Sequence, residues 1–304
     1  MAANRIQFDQ AFISNEVRRV ESEYLPVRAS FLTRHLVRRA KCADLHPNPE
    51  DEFCAPDIGP NDQIISNYMD QFKKTLRENG FRYLEEPVMV EKLHPDGYML
   101  LNGHHRWAAA LKMGYKKIPI RIINLPHEKD IIDIIEKSTH EMRVTLDLDE
   151  VVFCKTGDTQ SEKPLPFPLN KIYRQRLRRG IPALFYFLSS NGFDIWVYSS
   201  EYYSIDYIEH LFRWYHVHVD GAITGLKKRN ERSETAQRMK KLIANKYATT
   251  IHIDSDSIVR VNSASGQYDE YKLEASSGEW SQAVVTAVKK SGLLKSSASG
   301  LSVR

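Results

Sequence analysis

Residues 144–152 read VTLDLDEVV, an apolar run that ends by crowding Asp147, Asp149 and Glu150 into one turn. The run predicts a buried strand. Carboxylates this close repel one another unless a cation or a reaction offsets the cost, so the strand end is a candidate site. Downstream, the pattern continues with the Pro-rich loop SEKPLPFPLN (161–170), a predicted helix from about Ile172 to Ser190 and the strand DIWVYS (194–199). The helix IDYIEHLFRWY, a short strand near HVDGAI, the helix SETAQRMKKLIANKY, the strand TTIHID and a helix near EWSQAVVTAVKK complete it. Strands alternating with helices predict a parallel, doubly wound sheet.

In open parallel sheets, ligands bind beyond the carboxyl ends of the strands. Three predicted strands end in residues suited to one site there: Asp147 and Asp149, Ser199 and Ser200, and Asp254 and Asp256. Four carboxylates are poorly tolerated dry and unpaired, and hard oxygen donors are what Mg²⁺ prefers.

Upstream of that strand, Ile65, Tyr68, Met69, Phe72 and Leu76 recur at helical spacing and end at Asn79-Gly80. PVMVEKL (87–93) and YMLLN (98–102) read as paired strands, GHHRWAAALKMG (103–114) as a helix and IPIRII (118–123) as a further strand. The start of that helix offers unpaired backbone N-H groups, with His104, His105 and Arg106 as further donors beside them, a plausible phosphate site. The charged helix of HEKDIIDIIEKSTHEM (127–142) is the expected connection between this unit and the next. Residues 1 to about 60 carry Arg-rich helical stretches and an irregular loop, HPNPEDEFCAPDIGPND, with no job assignable from sequence.

The chain from about 142 to 290 resembles the haloacid dehalogenase-like (HAD) phosphatase superfamily. DLDEVV stands where that family has its DxDx(T/V) first motif, the strand ending in Ser199 its second, a lysine of GLKKRNE (Lys227 or Lys228) its third, and HIDSDS its fourth. Ser255 stands where some members have a second consecutive Asp. The resemblance implies that Asp147 attacks phosphorus, that Asp149 acts as general acid and base, and that Ser199 and Lys228 bind the phosphoryl oxygens. It also implies Mg²⁺ held by Asp147, the backbone carbonyl of Asp149 and Asp254. The spacing between motifs leaves no room for a large cap domain.

The segment from about 62 to 123 resembles the ParB/sulfiredoxin-like domain, whose members place a G-x-x-R phosphate-binding turn after a strand. The resemblance implies that Asn102, Gly103, His104, His105 and Arg106 bind a nucleotide or phosphate, with ATP, ADP or CTP as candidates. Histidine fills the slot where sulfiredoxins need a catalytic cysteine, and Asn102 the slot where kinase-like members carry an acid.

The expected organisation is a small α+β ParB/sulfiredoxin-like domain (1–125), a linker helix (126–142), a doubly wound parallel-sheet HAD-like domain without a large cap (143–291) and a flexible tail (292–304). With 304 residues and 42% hydrophobic content, the chain can build two cores. Lys plus Arg (43) barely exceed Asp plus Glu (39), too weak a bias to mark a nucleic-acid binder by itself. Three scattered cysteines fit free thiols in a reducing compartment. With no apolar run of spanning length and no signal-like start, a cytoplasmic protein without a membrane partner is expected. Its expected partner is a phosphorylated substrate, a small molecule or a nucleic-acid end. Function is expected to be Mg²⁺-dependent phosphate hydrolysis. The alternatives are a bifunctional nucleotide-dependent phosphotransferase and a nucleotide-controlled binding module.

Overall fold

The computed structural model describes residues 8–80, 84, 86–154, 160–225, 233–255, 257–262, 268–273 and 280–294. They divide into two compact units. The first runs to Leu125 and takes in Tyr202–Ser204 and the described residues up to Gln237; the second holds the remainder, beginning at Pro126.

The first unit opens with α1 (Gln10–Glu23), β1 (Leu25–Pro26), α2 (Phe31–Leu36), β2 (Arg39–Lys41) and β3 (Leu45–His46). It continues with α3 (Asp62–Asn79), β4 (Val88–His94), β5 (Tyr98–Asn102), α4 (His104–Lys112) and β6 (Lys117–Ile122). The strands form one mixed sheet in the order β2-β6-β4-β5-β3, with β1 pairing β4. Local signals set the helices. Asn61 caps α3 by accepting from the Ile64 N-H at 3.1 Å, and Gly80 ends it at φ +70°. Trp107, Ala108, Ala109 and Ala110 of α4 are all buried, because three small side chains let the helix lie close against its neighbours, and the Trp107 indole N-H reaches the Cys42 carbonyl at 2.9 Å. Cys42, Cys54 and Cys154 form no disulfide.

In the second unit, α5 (Glu128–Lys137) precedes β7 (Met142–Asp147), and a π-helical turn spans Leu148–Val152. Then follow β8 (Phe153–Cys154), α6 (Leu169–Ile172), β9 (Arg176–Leu177), α7 (Ile181–Ser190), β10 (Phe193–Tyr198), α8 (Ile205–Trp214) and β11 (Gly221–Ile223). Last come α9 (Glu234–Lys246), which belongs to this unit from Arg238 on, β12 (Thr249–Ile253), β13 (Ile258–Asn262), β14 (Tyr268–Lys272) and α10 (Trp280–Lys290). The sheet order is β11-β10-β7-β12-β13-β14. The first four strands are parallel, and β13 and β14 extend the sheet antiparallel. The chain therefore winds outward from β7 through β10 to β11 and returns on the other side of β7 as β12.

The second unit differs from the sequence reading in two places. The antiparallel β13 and β14 were not expected, because β14 reads YDEYK and buries no residue, so it leaves no apolar alternation to read. The predicted helix from Ile172 to Ser190 is broken: α6 stops at Ile172, β9 pairs with β8, and α7 begins only after Gly180, at φ +87°. A glycine in the left-handed region followed by Pro182 near the new helix start is a restart signal, not a helix interior. In α5, the expected connecting helix, Ile131 is wholly buried in a cluster with Trp196, Ile223, Ile243 and Tyr247. Among the described residues no helix is long and apolar enough to cross a membrane.

Candidate functional site

In the first unit, the G-x-x-R turn sits where β5 hands over to α4. Gly103 takes φ +98°, and a Cβ built there would lie 2.7 Å from Val88 Cγ1. Only glycine fits both the backbone and the space. No side chain caps the helix at this position, so the α4 start keeps the electropositive character that favours an anion.

The two histidines are fastened to the preceding loop. His104 Nε2 accepts from the Asn48 N-H at 3.2 Å, with Nδ1 3.5 Å from Asp51, and His105 Nε2 accepts from the Asn61 N-H at 3.1 Å. An Nε2 that accepts is unprotonated, which leaves the proton of each neutral ring on Nδ1. The rings therefore fold the 47–61 loop over the α4 start. Arg106, 8% exposed, donates from Nη1 to Glu86 Oε2 at 2.8 Å and from Nη2 to Asn102 Oδ1 at 3.2 Å. Its Nε is buried without a hydrogen-bond partner.

A cleft opens over this turn, lined by residues 102–106 together with Asp51, Tyr68 and Tyr202. All five residues singled out in the sequence thus share one cleft. Sequence reasoning missed Asp51 and Tyr202. Asp51 is the acid among the lining residues, in a loop whose PEDE run gave no hint of its neighbours. The Tyr202 hydroxyl donates to the Leu101 carbonyl at 3.0 Å, a contact between residues so far apart in sequence that no local pattern reports it.

The second unit brings a different set together. Tyr198 lies opposite Asp147 and Ile253 opposite Leu146, so Ser199 and Asp254 leave the sheet beside Asp147 at the point where the winding reverses. Asp147 Oδ1 accepts from the N-H groups of Asp149 and Glu150, both at 2.8 Å. Burial pushes the Asp147 carboxyl above its ordinary value; those two hydrogen bonds pull it back down, and the charges of Asp149 and Glu150 add to the rise. Ser199, buried, donates to Asp149 Oδ2 at 2.6 Å and accepts from the Glu201 N-H at 2.9 Å. Its proton is directed at a carboxylate of the site.

The expected Mg²⁺ set, Asp147, the backbone carbonyl of Asp149 and Asp254, calls on only two carboxylate side chains. Among the described residues no three His, Cys, Asp or Glu side chains converge to hold an ion. Asp149 is engaged by Ser199, and exposed Asp254 has Arg260 Nη1 at 3.8 Å. What remains is a pair of hard donors, Asp147 and Asp254, at neighbouring strand ends. That pair is compatible with Mg²⁺, which commonly takes one or two carboxylates and keeps water for the rest. Lys227, Lys228 and Asp256 lie outside the described residues.

Residues 49–138 match the family of the ParB N-terminal domain, so the resemblance seen in the first unit is supported by an independent comparison. Over 66 residues the chain is 33% identical to an ATP-dependent L-serine kinase of Staphylothermus marinus, covering 21% of this chain and 25% of that protein. An ADP-dependent L-serine kinase of Thermococcus kodakarensis is 29% identical over 66 residues, 21% and 26% of the two chains. A nucleoid occlusion protein of Listeria monocytogenes is 28% identical over 81 residues, 27% and 28% of the two chains. The chain thus spans about a quarter of the length of these relatives. The family match ends before β7, and the HAD-like reading of the second unit rests on its sequence motifs.

Proposed function

We propose that this chain is a nucleotide-dependent phosphotransfer enzyme whose first unit binds the phosphates of ATP or ADP at the start of α4. The observation that carries this reading is the uncapped α4 start at Gly103, with Arg106 buried beneath it and the region matched by nucleotide-dependent serine kinases. In this reading the helix N-H groups and Arg106 bind the phosphate oxygens and stabilise the charge that develops during transfer. The acceptor is a small molecule bearing a hydroxyl. Its oxygen forms a bond to the terminal phosphorus as the bridging P–O bond of the nucleotide breaks, and Asp51 takes the hydroxyl proton. Asp51 supplies here the acid that Asn102 does not.

The test is phosphorus NMR of ATP or ADP with a panel of hydroxylated metabolites, serine included. Wild-type protein should convert nucleotide and acceptor together. Asp51→Asn should lose transfer while still binding nucleotide by calorimetry. Absence of both nucleotide binding and nucleotide conversion would overturn the reading.

The register at the end of β7 favours a second activity in the same chain, hydrolysis of a phosphate ester. With Asp147 Oδ1 fixed by two N-H groups, Oδ2 would be the attacking oxygen. The ester P–O bond breaks, Asp149 gives the leaving oxygen a proton, and the resulting aspartyl-phosphate is hydrolysed by water that Asp149 then deprotonates. Asp147 and Asp254 would hold Mg²⁺, which offsets repulsion between an anionic nucleophile and an anionic phosphate. Ser199 positions Asp149 in this reading, and Lys228 is the proposed ligand of the phosphoryl oxygens. In this reading the protein works in the cytoplasm, where nucleotides and phosphorylated metabolites are found.

A further inference from the structure

We propose that the outer face of α2 and the adjoining edge of the first unit's sheet dock on an anionic lipid surface. Residues 24–43 contain no Asp or Glu but hold Arg28, Arg34, Arg38, Arg39 and Lys41. Within this stretch α2 buries no residue at all. At 100° per residue, Phe31, His35, Leu32 and Leu36 fall within one arc of about 140°. Those apolar side chains face solvent: Phe31 is 43% exposed, Leu32 65% and Leu36 73%. The Phe31 and His35 rings stack with centroids 4.0 Å apart, and Ser30 caps the helix by accepting from the Thr33 N-H at 3.2 Å, so the apolar row is held in place.

Cations border it. In β2, Ala40 turns inward, while Arg39 and Lys41 are exposed. Their cross-strand partners on β6 are Pro119 and Lys117. Directly paired residues share a face of the sheet, and alternation puts Arg121 there too. Exposed Arg38 and Lys116 flank the same edge. Asp44 approaches Lys41 only at 4.0 Å.

The partner must be anionic and must also cover aliphatic groups. A second copy using this same face would set like charges against each other. Nucleic acid would satisfy the cations through its phosphates but leave Leu32 and Leu36 in water. A six-residue helix lacks the i, i+3, i+4, i+7 row that fills a protein groove. A bilayer interface has none of these difficulties, since a short apolar row enters at headgroup depth while Arg and Lys meet lipid phosphates. The expectation of no membrane partner came from the lack of a spanning segment, which a surface contact does not need.

Co-sedimentation of the full chain with phosphatidylcholine vesicles, with and without phosphatidylglycerol, tests this. Binding should require the anionic lipid and weaken about tenfold or more when salt screens the surface potential. Leu32→Ser with Leu36→Ser, both at exposed positions, should weaken binding about tenfold, as should Arg38→Gln with Lys117→Gln. Tyr268→Ser, at an exposed position in β14, should bind like wild type. The proposal is overturned if neither vesicle binds, or if both bind equally. It is also overturned if the leucine variant binds as wild type while an oligonucleotide competes, because the face would then serve nucleic acid.

Discussion

The start of α4 and the end of β7 both fix polar side chains through backbone N-H groups, with opposite electrostatic results. At α4 the acceptors are neutral imidazoles, and the N-H groups they engage belong to a distant loop, at Asn48 and Asn61. The helix start itself keeps no side-chain cap. At β7 the acceptor is a carboxylate, and the N-H groups are those of its own next turn, at Asp149 and Glu150. One site keeps an uncapped helix start with a buried guanidinium, tied to Glu86 and Asn102, beside it; the other neutralises its backbone donors internally and presents acids. The first suits an anionic ligand directly. The second suits a phosphorus centre whose charge is offset by a cation. On the proposed reading, two sites of opposite polarity in one chain would serve two phosphate chemistries.

The largest expected effect separates those chemistries. Asp147→Asn keeps the shape and the Oδ1 acceptor but removes the nucleophile. It should lower Mg²⁺-dependent hydrolysis of an aryl phosphate by at least about 10³-fold and leave nucleotide-dependent transfer unchanged. Loss of both activities together would merge the two sites into one. Next in size is Gly103→Ala, which meets Val88 at 2.7 Å and forces a side chain into φ +98°. It should destabilise the first unit by about 2–4 kcal/mol. Urea denaturation read by hydrogen exchange should localise the loss to amides of α4, β4 and β5, and a variant as stable as wild type would remove the tight turn from the argument.

How much of this was legible in the sequence follows from the range of the interactions. The β7 strand, its acids and the G-x-x-R turn were readable because period-two alternation, a carboxylate cluster and a glycine before a helix are all local. The break at Gly180 was also local and was overlooked, since the apolar spacing on either side of RQRLRR fits one long helix. By contrast, the loop of Asp51 becomes part of the site only because His104 and His105 hold it there. Tyr202 arrives through a hydrogen bond spanning a hundred residues. Neither leaves a periodic trace. The donor role expected of the histidines failed at Nε2 for the same reason: which nitrogen carries the proton depends on Asn48 and Asn61, which no motif names.

Arg106→Ala probes the anionic-ligand half of the comparison. Removing the guanidinium should weaken nucleotide binding by about 1.5–3 kcal/mol, the range for a charge-assisted contact. Asn102 and Glu86 would also lose their donor, so Arg106→Lys supplies the control: charge is kept, the bidentate geometry is not. Intermediate affinity for the lysine variant, measured by calorimetry, is the expected pattern. Titration heats identical to wild type in both variants would confine Arg106 to a scaffold role.

The smallest effect tests whether the acidic site is held at the expense of stability. Burial raises the Asp147 pKa, so the folded protein keeps that proton to higher pH than the unfolded chain does. Between the two values the native state binds more protons, and stability falls as pH rises through that window. The contribution of Asp147 is thus fully present below its unfolded pKa and gone above its folded one. A carboxamide at this position cannot ionise, yet its carbonyl can still accept from the Asp149 and Glu150 N-H groups. Asp147→Asn should therefore be slightly more stable than wild type at neutral pH, with the gap closing as acid protonates the native carboxyl. Because the group is only partly buried, solvent screens the interaction and the gain is modest. Urea midpoints in the presence of a chelator, measured from neutral pH into the acid range, give the comparison directly. A variant that is less stable at neutral pH, or a gap that does not change with pH, would mean that the hydrogen bonds to Oδ1 outweigh desolvation and that the acids at β7 are a stabilising cap.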